Sequence, residues 1–236
     1  MSNRPEIHST AIVTLHTGET LEFTMNATNG YIPLRNAITQ NGSPYEPILW
    51  TPETPYLYQL TLKVHQDIIQ TYFALRTIEI QTKNNIPRVC LNGSPIFLHG
   101  VLDQGYFCDG IFLPANEQNF EQDILRMKEL GFNLLRKHIK IEPECFYYYC
   151  DLHGMLVMQD MVNSGHYSFL FDTALPTIGM KKRNDTLHFL PSKQRRFWEH
   201  HMKETLSLIY ITILVLLAIL CLMKAGGNLT VIKCIK

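Results

Sequence analysis

Two stretches decide the fold: Gly131-Phe-Asn-Leu-Leu-Arg-Lys-His138 and Asp151-Leu-His-Gly-Met-Leu-Val-Met-Gln-Asp160. Leu134-Leu135-Arg136 reads as a short strand. Met155 to Met158 reads as a continuous apolar one, the pattern of a strand covered on both faces. Between them Pro143 can open a helix, where its missing N–H costs nothing, and Gly154 can close it. Upstream, Ile96 to Leu102 is a third apolar strand. Asn116 caps a helix whose apolar face carries Phe120, Ile124, Met127 and Leu130, with Gly131 at its end. Strand, helix, strand, helix, strand in this order predicts a parallel sheet with right-handed crossovers. No Gly-x-Gly-x-x-Gly follows the first strand, so a dinucleotide fold is disfavoured. After a long polar loop, Ser192 is placed to cap a helix through Phe197 and Trp198.

Working back toward the N-terminus, the pattern changes from helical to alternating. Leu21, Phe23, Met25 and Ala27 alternate with polar residues, as do Tyr56, Tyr58, Leu60, Leu62 and Val64 with their neighbours. Thr71 to Ile80 is a further run rich in β-branched and aromatic residues. Asn41-Gly-Ser-Pro44 and Thr51-Pro-Glu-Thr-Pro55 punctuate these runs as turns. The spacing predicts an antiparallel sandwich over residues 1–85, with Lys83-Asn84-Asn85 as its exit linker. Asn92-Gly93, between two apolar runs, predicts a tight hairpin because both residues tolerate positive φ.

Composition sets the outer bounds. The 21 basic and 21 acidic residues cancel, which leaves no electrostatic footprint for nucleic acid. With 46% hydrophobic and 18% charged residues the chain can build a core, so global disorder is excluded. Its six cysteines lack Cys-x-x-Cys and zinc spacing, so reduced thiols and no metal site are expected. Met1 to Thr10 lacks the apolar core of a secretory signal. Leu206 to Met223 is an uncharged run flanked by Lys203 and Lys224, and it meets the length criterion for a transmembrane helix.

Four stretches together resemble glycoside hydrolase family 2, the β-galactosidase, β-glucuronidase and β-mannosidase group. They are Leu49-Trp-Thr-Pro-Glu-Thr-Pro-Tyr-Leu-Tyr58, Asn92-Gly-Ser-Pro-Ile-Phe-Leu-His-Gly-Val101, Gly131 to His138 and Asp151 to Asp160. In order, they cover roughly residues 45 to 210. His99 stands where the family often has Arg or Lys. The resemblance implies an immunoglobulin-like sandwich (1–85) and then the first βα units of a (β/α)8 TIM barrel (86–210), with an apolar tail (206–223). It implies hydrolysis of β-glycosides with retention, no organic cofactor, a carbohydrate as partner and a cytoplasmic location. A membrane location is expected instead if the tail inserts.

A complete barrel takes about 250 residues, more than Pro95 to Lys236 can supply, so the barrel is expected to be incomplete. The two glutamates of the family's mechanism lie beyond the resemblance, so no residue of this chain is assigned as catalytic. Read one base out of frame, codons for Ile211 to Val215 can encode Asn-His-Pro-Ser, and those for Cys221 to Gly227 Phe-Asn-Glu-Gly-Trp-Gly. Both segments resemble the family's sequence near its acid/base glutamate, so a frameshift after Tyr210 is expected, and with it an inactive chain. The alternative is a non-enzymatic, membrane-attached carbohydrate-binding or interaction module. Asp160 and Arg136 end predicted barrel strands, where barrel chemistry gathers. By resemblance they belong to the substrate pocket, together with His138, Asn163 and Asp103. For Arg136 the competing reading is a surface basic cluster with Lys137 and Lys140. Glu142, Glu144, Glu199 and Glu204 read as solvated helix positions, and Tyr147, Tyr148 and Tyr149, facing different directions, as core packing rather than a sugar platform.

Overall fold

A computed structural model describes residues 8–26, 32–34, 37–160, 169–180, 200, 204, 216–221 and 230–231. The chain divides into two units, Met1–Thr77 with Leu91–Ser94 and Ile78–Cys90 with Pro95–Lys236.

In the first unit β1 (His8–Thr14), β2 (Thr20–Asn26), β3 (Tyr58–Val64) and β4 (Asp67–Phe73) form an antiparallel sheet ordered β2-β1-β3-β4. The inner strand β1 has no apolar alternation strong enough to be named from sequence. It turns Ser9, Ala11 and Val13 inward, and the small side chains at the first two positions mute the signal. Val13, Leu15, Leu34, Ala37, Tyr45 and Tyr58 make the core. Tyr58 stacks on Phe73 with centroids 5.1 Å apart. Its hydroxyl lies 3.0 Å from that of Tyr45 and accepts the Ile48 N–H at 2.7 Å, so the polar tip of the buried ring is satisfied. The turn at Asn41-Gly42 closes with Gly42 at φ 78° and the Thr39 N–H on the Ser43 carbonyl at 2.9 Å.

The run Thr71 to Ile80 is not one strand. It breaks between β4 and β5 (Ile78–Lys83), because other partners take its backbone groups. The Leu75 carbonyl accepts the Trp50 N–H at 2.8 Å, and Thr77 exchanges two hydrogen bonds of 2.9 Å with Asn92. β5, β6 (Ile86–Leu91) and β7 (Ser94–Pro95) form a three-stranded sheet in that order. Asn84 and Asn85, expected as a linker, are the two-residue turn between β5 and β6, with φ of 53° and 60°. Asn92 and Gly93 make the expected hairpin, at 51° and 77°.

The second unit continues as β8 (Gly100–Asp103), α1 (Gln118–Glu129), β9 (Leu134–Lys137), α2 (Glu144–His153) and β10 (Leu156–Asp160). β8, β9 and β10 are parallel neighbours, as the sequence pattern predicts. The Asn116 carboxamide oxygen accepts the Gln118 N–H at 3.1 Å, Pro143 precedes α2, and Gly154 ends it at φ 74°. Phe120 and Ile124 of α1 are buried, whereas Leu130 sits at the C-cap and is 67% exposed, off the predicted stripe. β8 starts later than Ile96 because Asn133 takes over the backbone there. Its side chain accepts the His99 N–H at 2.8 Å and donates to the Phe97 carbonyl at 2.8 Å.

The apolar run 206–223 is not a membrane helix along its described length. Leu216–Cys221 is a strand, β11, lying parallel to β10, and β12 (Thr230–Val231) pairs antiparallel with it. No described helix is long and apolar enough to cross a membrane. An unbroken Leu/Ile/Ala segment is also the composition of an inner parallel strand, so length alone could not separate the two. The sheet order is β12-β11-β10-β9-β8. The rest of that run, Ser192 and the Phe197-Trp198 helix lie outside the described residues.

Candidate functional site

Strand alternation sends successive side chains of β9 to opposite faces of the sheet, so Arg136 and Lys137 enter different environments. Arg136 reaches Asp160 at the end of neighbouring β10. Nε and Nη2 donate to the two carboxylate oxygens, each at 3.0 Å, a bidentate fork. The Asp160 side chain is fully buried and that of Arg136 keeps 38% of its surface in solvent. The guanidinium therefore holds one buried carboxylate with two of its five N–H donors and turns an open side outward.

Lys137 is 1% exposed and lies 4.8 Å from the centre of the Phe146 ring on α2. Its ammonium donates to Asp103 Oδ2 at 2.7 Å and lies 2.6 Å from Glu142 Oε1, which is also 2.9 Å from Lys140 Nζ. The contacts on Glu142 are ionic rather than aligned hydrogen bonds, and Glu142 Oε2 has no hydrogen-bond partner among the described residues. Asp103 Oδ1 accepts the Gly105 N–H at 2.7 Å, while Lys140 Nζ donates to the Gly105 carbonyl at 2.7 Å and to that of Phe112. Two cations and two carboxylates thus share one box between the loops that follow β8 and β9. A pocket of about 470 Å³ lies on this helix-covered side, lined by Val101, Asp103, Gly105, Phe120, Lys137 and Phe146 among others.

The loop after β9 is tied at several points. The His138 N–H donates to the Asp103 carbonyl at 2.9 Å, and the Gln159 side chain donates to the Lys140 carbonyl at 2.7 Å. Tyr147 donates its hydroxyl proton to Gln159 Oε1 at 2.5 Å and accepts the Glu142 N–H at 3.3 Å. Burial pushes the Tyr147 hydroxyl well above its ordinary pKa.

Of the residues singled out from sequence, the structure brings Arg136 and Asp160 together, and it sets Asp103 and His138 at the adjacent strand ends. Asn163 lies outside the described residues. The surface-cluster reading of Lys137 and Lys140 fails, because Lys137 is buried, Lys140 is partly buried, and both are paired with carboxylates. Glu142 is not a solvated helix residue: it precedes α2 and its side chain is fully buried. Glu144 and Glu204 are exposed as expected, and Glu199 lies outside the described residues. Tyr147 is core and Tyr148 is exposed. Sequence reasoning missed Glu142 and Gln159. Their only sequence signal was position, one just before a helix-opening proline and one just before a strand-ending aspartate.

Residues 6–76 match the family model described as glycosyl hydrolases family 2. Over that stretch the chain is similar to glycosyl hydrolase family 2. Among curated relatives, a β-galactosidase of Oenococcus oeni is 31% identical over 134 residues, which is 54% of this chain and 12% of that protein. A β-galactosidase large subunit of Lactobacillus acidophilus is 31% identical over 137 residues, 55% of this chain and 21% of the relative. The chain therefore spans between about an eighth and a fifth of the length of those relatives. Among solved structures, Bacteroides uniformis β-glucuronidase 3 aligns with a TM-score of 0.54 at 19% identity, over 72% of this chain and 21% of that one. This likeness is one of fold, and the antiparallel sheets described above are consistent with an immunoglobulin-like sandwich.

Proposed function

We propose that this chain carries the sugar-facing opening of a retaining β-glycosidase: an immunoglobulin-like sandwich over 1–85 and the first βα units of a (β/α)8 barrel over 86–210. The observation that carries the reading is the Arg136–Asp160 fork at the C-terminal ends of two adjacent parallel strands. In barrel enzymes this is the end where substrate binds. Arg136 is read as the residue that forks onto sugar hydroxyls, with Asp160 fixing its plane. His138, Asp103 and Asn163 complete the substrate-binding set.

Retaining hydrolysis needs two carboxyl groups about 5–5.5 Å apart, one protonating the leaving oxygen and one attacking the anomeric carbon. The carboxylates described at these strand ends already have other work. Asp160 is clamped by Arg136, and Asp103 is bound to Lys137. Carboxylate oxygens already engaged by a cation have fewer lone pairs to offer a reacting sugar. The 236-residue polypeptide is therefore proposed to bind a β-glycoside without cleaving it. Two assays test this. Purified protein should release no nitrophenol from nitrophenyl β-galactoside or nitrophenyl β-glucuronide, and measurable turnover would refute the inactivity. Titration with galactose and glucuronate, followed by NMR, should shift resonances of Arg136. Binding that survives Arg136→Ala would remove that residue from the pocket. The out-of-frame origin of the segment after Tyr210 belongs to the same reading, and the nucleotide sequence of the gene decides it.

A further inference from the structure

Ile139 has φ 59°. For a β-branched residue this left-handed conformation is an outlier that costs energy and persists only where the surroundings over-determine it. Here the determinants are visible on both sides. Before Ile139, the His138 N–H is fixed to the Asp103 carbonyl. After it, the Lys140 carbonyl is held by Gln159, and the Lys140 ammonium is held by Glu142 and the Gly105 carbonyl. Glu142 also binds Lys137, which leads back through Asp103 to the loop after β8. That loop approaches so closely that a methyl group on Gly105, at φ 68°, would collide with Glu142 Oε1 and come within 2.8 Å of Lys137 Nζ.

We infer that Glu142 is a positioning residue: its buried carboxylate gathers Lys137 and Lys140, and so locks the left-handed turn at Ile139 that sets the backbone of His138 beside Arg136. Glu142 and Lys137 are buried on the helix-covered face, and no sugar contact is assigned to them. Their effect travels through the loop, as in sites whose geometry is held from behind by a supporting layer. A fully apolar layer could supply packing but not the attraction between opposite charges that draws Lys137 and Lys140 onto Glu142. The inference rests on the proposed sugar site only for what the positioning is for, while the lock itself is read from the geometry.

Amide hydrogen exchange followed by NMR on the full chain tests it, comparing the unaltered protein with Glu142→Gln, Ile139→Gly and the double variant. In Glu142→Gln the amides of Gly105 and His138 should exchange about tenfold faster, while those of Leu135 and Val157 in the flanking strands change far less. Glycine adopts positive φ freely, so the double variant should recover most of that protection. Exchange that rises equally in strands and loops would make Glu142 an ordinary contributor to stability and overturn the inference, as would no change at Gly105 and His138. If Glu142→Gln does not fold, Ile139→Gly decides alone: its urea midpoint should equal or exceed that of the unaltered chain, and a lower midpoint overturns the strain. In parallel, Glu142→Gln should weaken glucuronate or galactose binding several-fold. Absence of sugar binding by the unaltered chain would refute the proposed function, and the exchange pattern would still decide the role of Glu142.

Discussion

Removing Arg136 should hurt this protein more than removing its partner, and the asymmetry follows from burial. In Arg136→Met the fully buried Asp160 carboxylate loses two charge-assisted hydrogen bonds of 3.0 Å. Stripping one partner from a buried pair costs about 3–5 kcal/mol. Arg136 is more than a third exposed, so water can reach the gap it leaves, and the figure falls to about 2–4 kcal/mol. Asp160→Asn is milder, because the half-exposed guanidinium can turn to solvent and the amide oxygen still accepts one bond. About 1–2 kcal/mol is expected there. Arg136→Lys keeps the charge and loses the planar fork, and should fall between the two. The double variant Arg136→Met with Asp160→Leu removes both charges and should recover at least about 1 kcal/mol of what Arg136→Met alone loses. Urea unfolding followed by far-UV circular dichroism gives the free energies, and exchange of the β9 and β10 amides localises them. A cycle in which Asp160→Asn costs more than Arg136→Met, or in which the effects simply add, would refute the reasoning.

Two further outcomes follow from the same structure. Asn133→Ala removes the side-chain bonds to the Phe97 carbonyl and the His99 N–H, and should destabilise the second unit by about 1–2 kcal/mol in the same urea assay without altering sugar binding, since it acts at the opposite strand ends from Arg136. The Tyr147 hydroxyl is raised by burial, so the folded state keeps a proton that the unfolded state releases near the ordinary tyrosine pKa of about 10. That stability is fully present below this pH and should decline by up to about 1.4 kcal/mol per pH unit above it, a slope that Tyr147→Phe should flatten.

The parallel unit was legible because its punctuation is chemical. Asn116, Pro143 and Gly154 each do at a helix end what their side chains dictate, and Asn92-Gly93 turns because both residues accept positive φ. Arg136 and Asp160 were legible from their places at strand ends. What stayed hidden depends on partners far along the chain. Lys137 reads as a surface cation until Asp103 and Glu142 close around it. Thr71 to Ile80 reads as one strand until Trp50 and Asn92 claim its backbone. Leu216–Cys221 reads as lipid-facing because a strand inside a parallel sheet and a helix inside a bilayer both exclude polar side chains.

The order β2-β1-β3-β4 places the earliest strand inside its sheet, with Thr14 opposite both Thr20 and Gln59. The first of those pairings can form as soon as a short hairpin leaves the ribosome. The second must wait while dozens of further residues are synthesised, and it then closes a long loop at an entropic cost. Until then one hydrogen-bonding flank of β1 stays open to any other extended chain. Nascent protein should therefore be most vulnerable to wrong pairing in that interval, and slower elongation would lengthen the exposure.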